Sequence, residues 1–292
     1  MIVTVASGKG GTGKTTVATS LALSLAAEEI FFMDCDVEAA NAHLYLQPDI
    51  QVTREVGLPI PEVNPELCTG CGRCAEVCQF HAIVAVGSEV MVFPQLCHGC
   101  GSCMRQCPHG AITEVPHLQG VLEHGIAKEG IRFSNGALKV GEPMSVPLIH
   151  ALKSWHVSGD EDWVIRDSPP GTACPVVEAM AGSDVIVLVT EPTPFGLHDL
   201  RLAVELTRTM GLPAGVVINR DGVGDTGVEQ YCEEAGVPIL MRIPLTRSLG
   251  ESLAKGVPLV EADPAYLPRF QQLAQDLRLI AGDLAAERGR EA

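Results

Sequence analysis

Positive charge is scarce in this chain of 292 residues: 20 lysines and arginines stand against 36 aspartates and glutamates, a formal net charge of -16. Broad, sequence-independent grip on DNA or RNA comes mainly from basic side chains that neutralise phosphates, so nucleic acid is not an expected partner. Long apolar runs are missing as well. No stretch reaches the roughly 18 apolar residues of a membrane span, and the amino terminus reads as a buried strand entering a loop rather than as a signal peptide. No membrane partner is therefore expected, and the expected compartment is the cytoplasm. Aromatic residues make up only 4%, but a hydrophobic share of 46% is enough for one large core with a smaller companion domain.

Short apolar runs alternate with helical stretches outside residues 61 to 115. Residues 2–6, 30–34, 163–167, 184–190, 214–219 and 237–243 read as strands, and segments near 14–27, 197–210, 226–235, 247–254 and 264–286 read as helices. Apolar strands without polar alternation, separated by helices, suit a parallel sheet covered on both faces. The expected fold is α/β: a doubly wound, mostly parallel sheet. Residues 124–149 break the rhythm. They alternate in polarity and contain Asn135-Gly136, a favourable type I′ pair, so an antiparallel hairpin turning there is expected.

Eight of the 11 cysteines lie between Cys68 and Cys107. In a reducing compartment such a cluster suits metal better than disulfides. Cys68, Cys71, Cys74 and Cys78 recur 29 residues later as Cys97, Cys100, Cys103 and Cys107, and "HAI" at 81–83 recurs as "GAI" at 110–112. The segment is a duplicated unit, expected as a small α+β domain inserted at 61–115 into a surface loop of a discontinuous domain formed by residues 1–60 and 116–292. Each run has the C-x2-C-x2-C-x3-C spacing of bacterial two-cluster ferredoxins, in which the fourth cysteine serves the other cluster. On that pattern one [4Fe–4S] cluster takes Cys68, Cys71, Cys74 and Cys107, and the other takes Cys97, Cys100, Cys103 and Cys78. Two zinc sites are the alternative, although zinc more often uses paired C-x2-C knuckles. A segment this short has too little core to stand without a metal or another staple. Pro108 follows the second run as the pattern asks, but Gln79 stands where the first run would have proline.

Between the first strand and the first helix, Gly8-Lys9-Gly10-Gly11-Thr12-Gly13-Lys14-Thr15 satisfies G-x-x-x-x-G-K-[ST]. Its amides, with Gly8, Gly10, Gly11, Thr12, Gly13 and Thr16, suit the phosphates of ATP or ADP; Lys14 supplies charge to the β and γ phosphates and the Thr15 hydroxyl suits Mg²⁺. The loop carries a second lysine, Lys9, and resembles the deviant Walker A loop of the MinD/ParA/nitrogenase-iron-protein superfamily. That resemblance implies an ATP-sandwich dimer in which Lys9 reaches the partner's nucleotide, doing the work of an arginine finger, a class of contact worth about 10³ to 10⁵ in rate. It further implies that Asp36 of "DCD" positions or deprotonates the attacking water, that Asp167 of "DSPPG" holds Mg²⁺ through a water, and that Asn219 reads the adenine edge. "VTEPTPFGLHD" at 189–199 matches a strand-end loop near the nucleotide or dimer face. Cys35 and Cys232 read as core thiols, and Cys174, just after "DSPPG", as a packed small residue rather than a ligand.

With its cysteine repeat the chain resembles the members of that superfamily that carry an inserted two-cluster ferredoxin domain, such as the MinD-type ATPases of the orange-protein complex. The resemblance implies an ATP-hydrolysing protein, a homodimer or a heterodimer with a paralogue, whose nucleotide state is coupled to electron transfer or metal-cluster assembly on a metalloprotein or redox partner. The alternative is a MinD- or ParA-like spatial organiser in which the clusters are structural or redox-sensing. The last 25 residues are amphipathic but mixed in charge, which suits packing against the core better than binding a membrane.

Overall fold

The computed structural model describes residues 1–155 and 159–291. Its strands are β1 (Ile2–Ala6), β2 (Ile30–Asp34), β3 (Asp49–Val63), β4 (Ile83–Val86), β5 (Glu89–Val92), β6 (Ile112–Ile126), β7 (Arg132–Leu138), β8 (Trp163–Asp167), β9 (Val185–Thr190), β10 (Ala214–Asp221) and β11 (Ile239–Pro244). Nine of them form one sheet in the order β11-β10-β9-β1-β8-β2-β7-β6-β3, while β4 and β5 pair separately. From β11 to β7 every neighbouring pair is parallel; β6 then runs antiparallel to β7, and β3 antiparallel to β6.

The central strands are apolar on both faces because helices cover both. Every residue of β2, β8 and β9 is buried. Alternation then divides each strand between two layers. Phe32, Ile165 and Val187 pack with Leu21 of the helix Lys14–Ser24 and with Phe270 and Leu277 of the helix Tyr266–Glu291. On the opposite face, Phe31, Met33 and Val164 meet Leu148 and Leu152 of the helix Val146–Ser154, and Ile186 and Leu188 meet Leu200 and Val204 of the helix Pro194–Thr209. The doubly wound, mostly parallel fold and the six expected strands are therefore present. The C-terminal helix packs against the core through Phe270, Leu273 and Leu277; the side chains of the expected amphipathic stretch beyond residue 282 lie outside the described residues.

Two local expectations need correction. Asn135-Gly136 is not a turn: both residues lie inside β7, with Asn135 opposite Asp34 of β2 and Glu123 of β6. The chain instead reverses at Lys128–Gly130, where Glu129 and Gly130 both take left-handed conformations (φ 57° and 77°) and Ala127 N–H donates to Ile131 O. Gly136 is needed for space, since a Cβ there would lie 2.6 Å from Val37 Cγ1.

The cysteine repeat also does not leave from a surface loop. β3 and β6 pair from Asp49↔Ile126 as far as Val63↔Ile112, whereas β7 accompanies β6 only between Gly120 and Ile126. Past Gly120 the two strands continue alone as a ribbon, with residues 64–111 at its tip. Because β6 opposes β7, the ribbon leaves the sheet beside Leu138, at the carboxyl end of the parallel strands. That is the end where open α/β sheets bind ligands.

The 29-residue repeat is visible in the backbone of this lobe. Helical turns at Arg73–Glu76 and Ser102–Arg105 occupy equivalent positions. So do the left-handed residues Gly70 and Gly99, Gly72 and Gly101, and His81 and Gly110.

Candidate functional site

β1 ends at Ala6 and the helix starts at Lys14, so residues 7–13 form the connecting loop at the carboxyl edge of the sheet. Gly11 and Gly13 are left-handed (φ 78° and 95°), and a Cβ on Gly13 would meet Asn219 Nδ2 at 2.3 Å. That same Nδ2 donates to Thr12 O at 2.8 Å, fastening the loop to the end of β10. Gly10, Gly11, Gly13, Lys14, Thr15, Thr16, Asp36 and Asn219 line one open cleft of about 1550 Å³. Gly8 stands behind it against the backbone of Asp199. Thr12 is buried, and its hydroxyl has no partner among the described residues.

Three carboxylates surround the buried ammonium of Lys14. Thr15 Oγ1 donates to Asp167 Oδ2 at 2.5 Å, while Asp167 Oδ1 is buried without a partner among the described residues. A hydroxyl beside a buried, unsatisfied carboxylate oxygen is a donor set that fits Mg²⁺ and its waters. Burial pushes the Asp167 carboxyl well above its ordinary range, and Asp34 adds to the rise. Burial likewise raises Asp36, which Lys14 partly counters. Lys14 itself is lowered by burial, against the pull of Asp167, Asp36 and Asp34. Of the two aspartates in "DCD", only Asp36 lines the cleft. Asp34 is fully buried, accepts the backbone N–H groups of Asp36, Asn41 and Ala42, and so shapes the loop after β2; its carboxyl is pushed up to about 7, chiefly by burial.

Lys9 does not line the cleft. Its Nζ donates to Glu191 Oε2 at 3.3 Å, and the other oxygen of the same carboxylate takes Arg220 Nη1 at 2.5 Å. Arg220 also donates through Nη2 to Gly11 O at 3.2 Å, joining the phosphate loop to the ends of β9 and β10.

In the lobe, two separate recesses are lined by cysteine. One has Cys78, Cys97, Cys100 and Cys103 on its wall; the other has Cys68, Cys71, Cys74 and Cys107. Backbone N–H groups point at three of the sulfurs: Ala82 to Cys78 and Ala111 to Cys107 at 3.3 Å each, and Gly99 to Cys97 at 3.4 Å. Burial raises the thiols of Cys74, Cys97 and Cys103, whereas hydrogen bonding with Ser102 lowers Cys100. Among the described residues no three His, Cys, Asp or Glu side chains converge closely enough to hold a single metal ion.

The family model described as CobQ/CobB/MinD/ParA nucleotide binding domain matches residues 3–259. The chain belongs to this family. It is a P-loop ATPase with the deviant Walker A loop, of the MinD/ParA type. The uncharacterized protein MJ0578 of Methanocaldococcus jannaschii is 32% identical over 227 residues, covering 77% of this chain and 80% of that protein. The iron-sulfur cluster carrier protein of Pyrococcus horikoshii is 25% identical over 304 residues, covering 96% of this chain and 88% of the relative. Among solved structures, the septum site-determining protein MinD of Pyrococcus horikoshii, complexed with Mg-ADP, shares the fold with a TM-score of 0.57 at 22% identity, covering 97% and 98% of the two chains.

In this MinD/ParA-type ATPase the loop glycines, Lys14, Thr15, Asp36 and Asn219 meet at one cleft, with Asp167 behind Thr15. Glu191 and Arg220 belong to the same neighbourhood; Glu191 lies in the segment 189–199 that matches a loop near the nucleotide or dimer face, whereas Arg220 carries no sequence signal beyond its place in β10. Cys35 and Cys232 are core thiols as expected, whereas Cys174 is exposed at the start of the helix Cys174–Met180 and is not packed. Among the described residues no helix is long and apolar enough to cross a membrane.

Proposed function

We propose that the chain is an ATP-dependently dimerising iron–sulfur ATPase, with an ATPase domain of residues 1–60 and 116–292 and a ferredoxin-type insert of residues 61–115 for two [4Fe–4S] clusters. Nucleotide state is coupled to electron transfer to, or cluster assembly on, a metalloprotein partner. The observation that carries this reading is the grouping of the cysteines. Each recess takes three cysteines of one run and the last cysteine of the other, which is the crossed ligation of two-cluster ferredoxins. The names of the iron-sulfur cluster carrier relatives point to the same chemistry.

Clusters of this kind supply one-electron transfer. In the ATPase domain, the loop amides and Lys14 would hold the triphosphate, Thr15 would hold Mg²⁺ and Asp167 would hold it through a water, Asn219 would meet the adenine, and Asp36 would orient or deprotonate the attacking water. Lys9 crosses to the partner's phosphates in a homodimer, or in a heterodimer with a paralogue. A physical link between the two halves supports their coupling. Val37, next to Asp36, accepts Leu138 N–H at 2.8 Å, and Lys139 N–H donates to Gln119 O at 2.8 Å where the ribbon leaves the sheet. A shift of the Asp36 loop on hydrolysis thus acts at the root of the ribbon.

The test is ATP hydrolysis and dimerisation of anaerobically purified protein with the clusters oxidised and then reduced. A several-fold response of either supports coupling. No response, with a Lys9→Ala control that still abolishes dimerisation, makes the clusters structural and favours the spatial organiser.

A further inference from the structure

We infer that Glu191 is a positioning residue that holds Lys9 within its own subunit until a partner's nucleotide replaces it, and that Arg220 makes this hold releasable. The inference rests on the reading of Lys9 as the lysine that crosses to the partner. Glu191 is 8% exposed, so its carboxylate is costly to leave without a cation. It has two: Lys9 Nζ on Oε2 at 3.3 Å and Arg220 Nη1 on Oε1 at 2.5 Å.

The geometry around the carboxylate is fixed. Pro192 and Pro194 flank Thr193, whose hydroxyl accepts Gly196 N–H, while Thr190 Oγ1 donates to Gly196 O at 3.0 Å. Gly196 leaves no room for a Cβ, which would lie 2.1 Å from Glu191 O. At the other end, Ser7 Oγ donates to Lys9 O at 2.6 Å, so the lysine backbone is anchored while its side chain is free to exchange partners. Were Lys9 the only cation, its departure would strand a buried charge. Arg220, tied through Nη2 to Gly11 O, stays behind and keeps the carboxylate paired. Reaching for the partner therefore costs Lys9 one ion pair, part of which is exposed to solvent, and no buried unpaired charge.

Two substitutions should act in opposite directions on the same equilibrium. Glu191→Gln removes the competing carboxylate, so holoprotein with a non-hydrolysable ATP analogue should dimerise with a dissociation constant about 2- to 5-fold lower, the range expected of a partly exposed ion pair. Arg220→Gln leaves Lys9 as the sole cation on Glu191 and should raise that constant by a similar factor. Sedimentation velocity reads both, with ADP affinity of the monomer measured alongside to show that the cleft is intact; if Glu191→Gln does not fold, Arg220→Gln carries the test alone. Dimerisation of Glu191→Gln that is unchanged or weaker overturns the inference, and so does a gain that survives in the Lys9→Ala, Glu191→Gln double variant. If Lys9→Ala alone dimerises normally, the reading of Lys9 itself falls, and that result is distinct from a failure of Glu191.

Discussion

At the scale of single residues, the site is governed by how much charge it confines. Asp34, Asp36 and Asp167 all have raised carboxyl pKa values with burial as the first cause, and Asp34 reaches about 7 from an ordinary 3.8. An acid whose pKa is higher in the folded state binds its proton more tightly there. Its contribution to stability is fully present below the unfolded pKa and is lost as pH rises through the folded one. Stability of the nucleotide-free protein should therefore fall between about pH 5 and 7, by roughly 1–3 kcal/mol on account of Asp34, since one pKa unit is worth about 1.4 kcal/mol. Mg²⁺ competes with these protons, so stabilisation by MgADP should be larger at pH 8 than at pH 6. Denaturant midpoints across that range, with and without MgADP, check both statements; a flat apo profile would show that the carboxylates are not confined as the structure has them. A second residue-scale expectation concerns Gly13, where φ is 95° and Asn219 Nδ2 would lie 2.3 Å from a Cβ. Gly13→Ala should break the Asn219 contact to Thr12, weaken ADP binding at least tenfold, and cost about 1–3 kcal/mol through strain and the lost hydrogen bond. Isothermal titration and thermal melts would separate the two effects. The phosphate loop is legible in the sequence as a local pattern between a strand and a helix, whereas Asp36, Asp167 and Asn219 stand out only through the family resemblance; the structure brings the loop, Asp36 and Asn219 to one cleft, with Asp167 beside Thr15. The sharing of Glu191 by Lys9 and Arg220 was not legible, because Lys9 is distant in sequence and adjacent only in the fold.

At the scale of elements, the parallel strands were legible and the ribbon was not. β2, β8 and β9 are continuous apolar runs, as burial on both faces demands. β3 hides its character behind Pro59 and Pro61, and β6 behind Pro116. Prolines are tolerated there because β3 is the outer strand of the sheet, and β6 at Pro116 has already run past the end of β7. The Asn135-Gly136 pair misled for the converse reason. A glycine with strong turn chemistry is needed in mid-strand to admit Val37, so packing overrides local propensity. Gly136→Val should therefore overpack this contact, cost about 1–3 kcal/mol, and displace the loop carrying Asp36; a thermal melt and the ATPase rate would both fall. In the lobe, the two recesses make a sharper prediction. If each recess holds a cluster as proposed, Cys78→Ala should disturb the one lined by Cys97, Cys100 and Cys103, although Cys78 belongs to the other run, and should leave the second intact. Iron content and the electron paramagnetic resonance spectrum of the reduced protein would report loss of one cluster of the two. Loss of the cluster at Cys68, Cys71 and Cys74 instead would show that each run serves its own site.

At the scale of the whole molecule, two cores share one chain but no residues. The three clusters of the sheet and its helices include Val56 of β3 but nothing beyond it until Leu122 of β6, whereas the two small clusters of the lobe use Ile60, Val63, Ile112 and Val115 from the ribbon and five of the eight repeat cysteines. Apart from those ribbon positions the lobe core is five cysteines and Met104 with only Ala82, Ile83, Val90 and Val92 as aliphatic partners, so its order should depend on what the cysteines bind, while the ATPase core depends on burial of aliphatic side chains. Val63 and Ile112 are paired across the ribbon. Replacing residues 64–111 with Asn-Gly would close that pair as a two-residue hairpin without altering the register beneath it. The shortened chain should fold, melt within a few degrees of the full-length ATPase core, and bind MgADP with unchanged affinity, while losing any response of ATP hydrolysis to reductant. Circular dichroism melts and titration calorimetry would establish the first three properties, and ATPase assays with and without dithionite the last. A truncated chain that does not fold would show that the ribbon transmits stability as well as motion, and a truncated chain still sensitive to reductant would place the redox response outside the cysteine lobe.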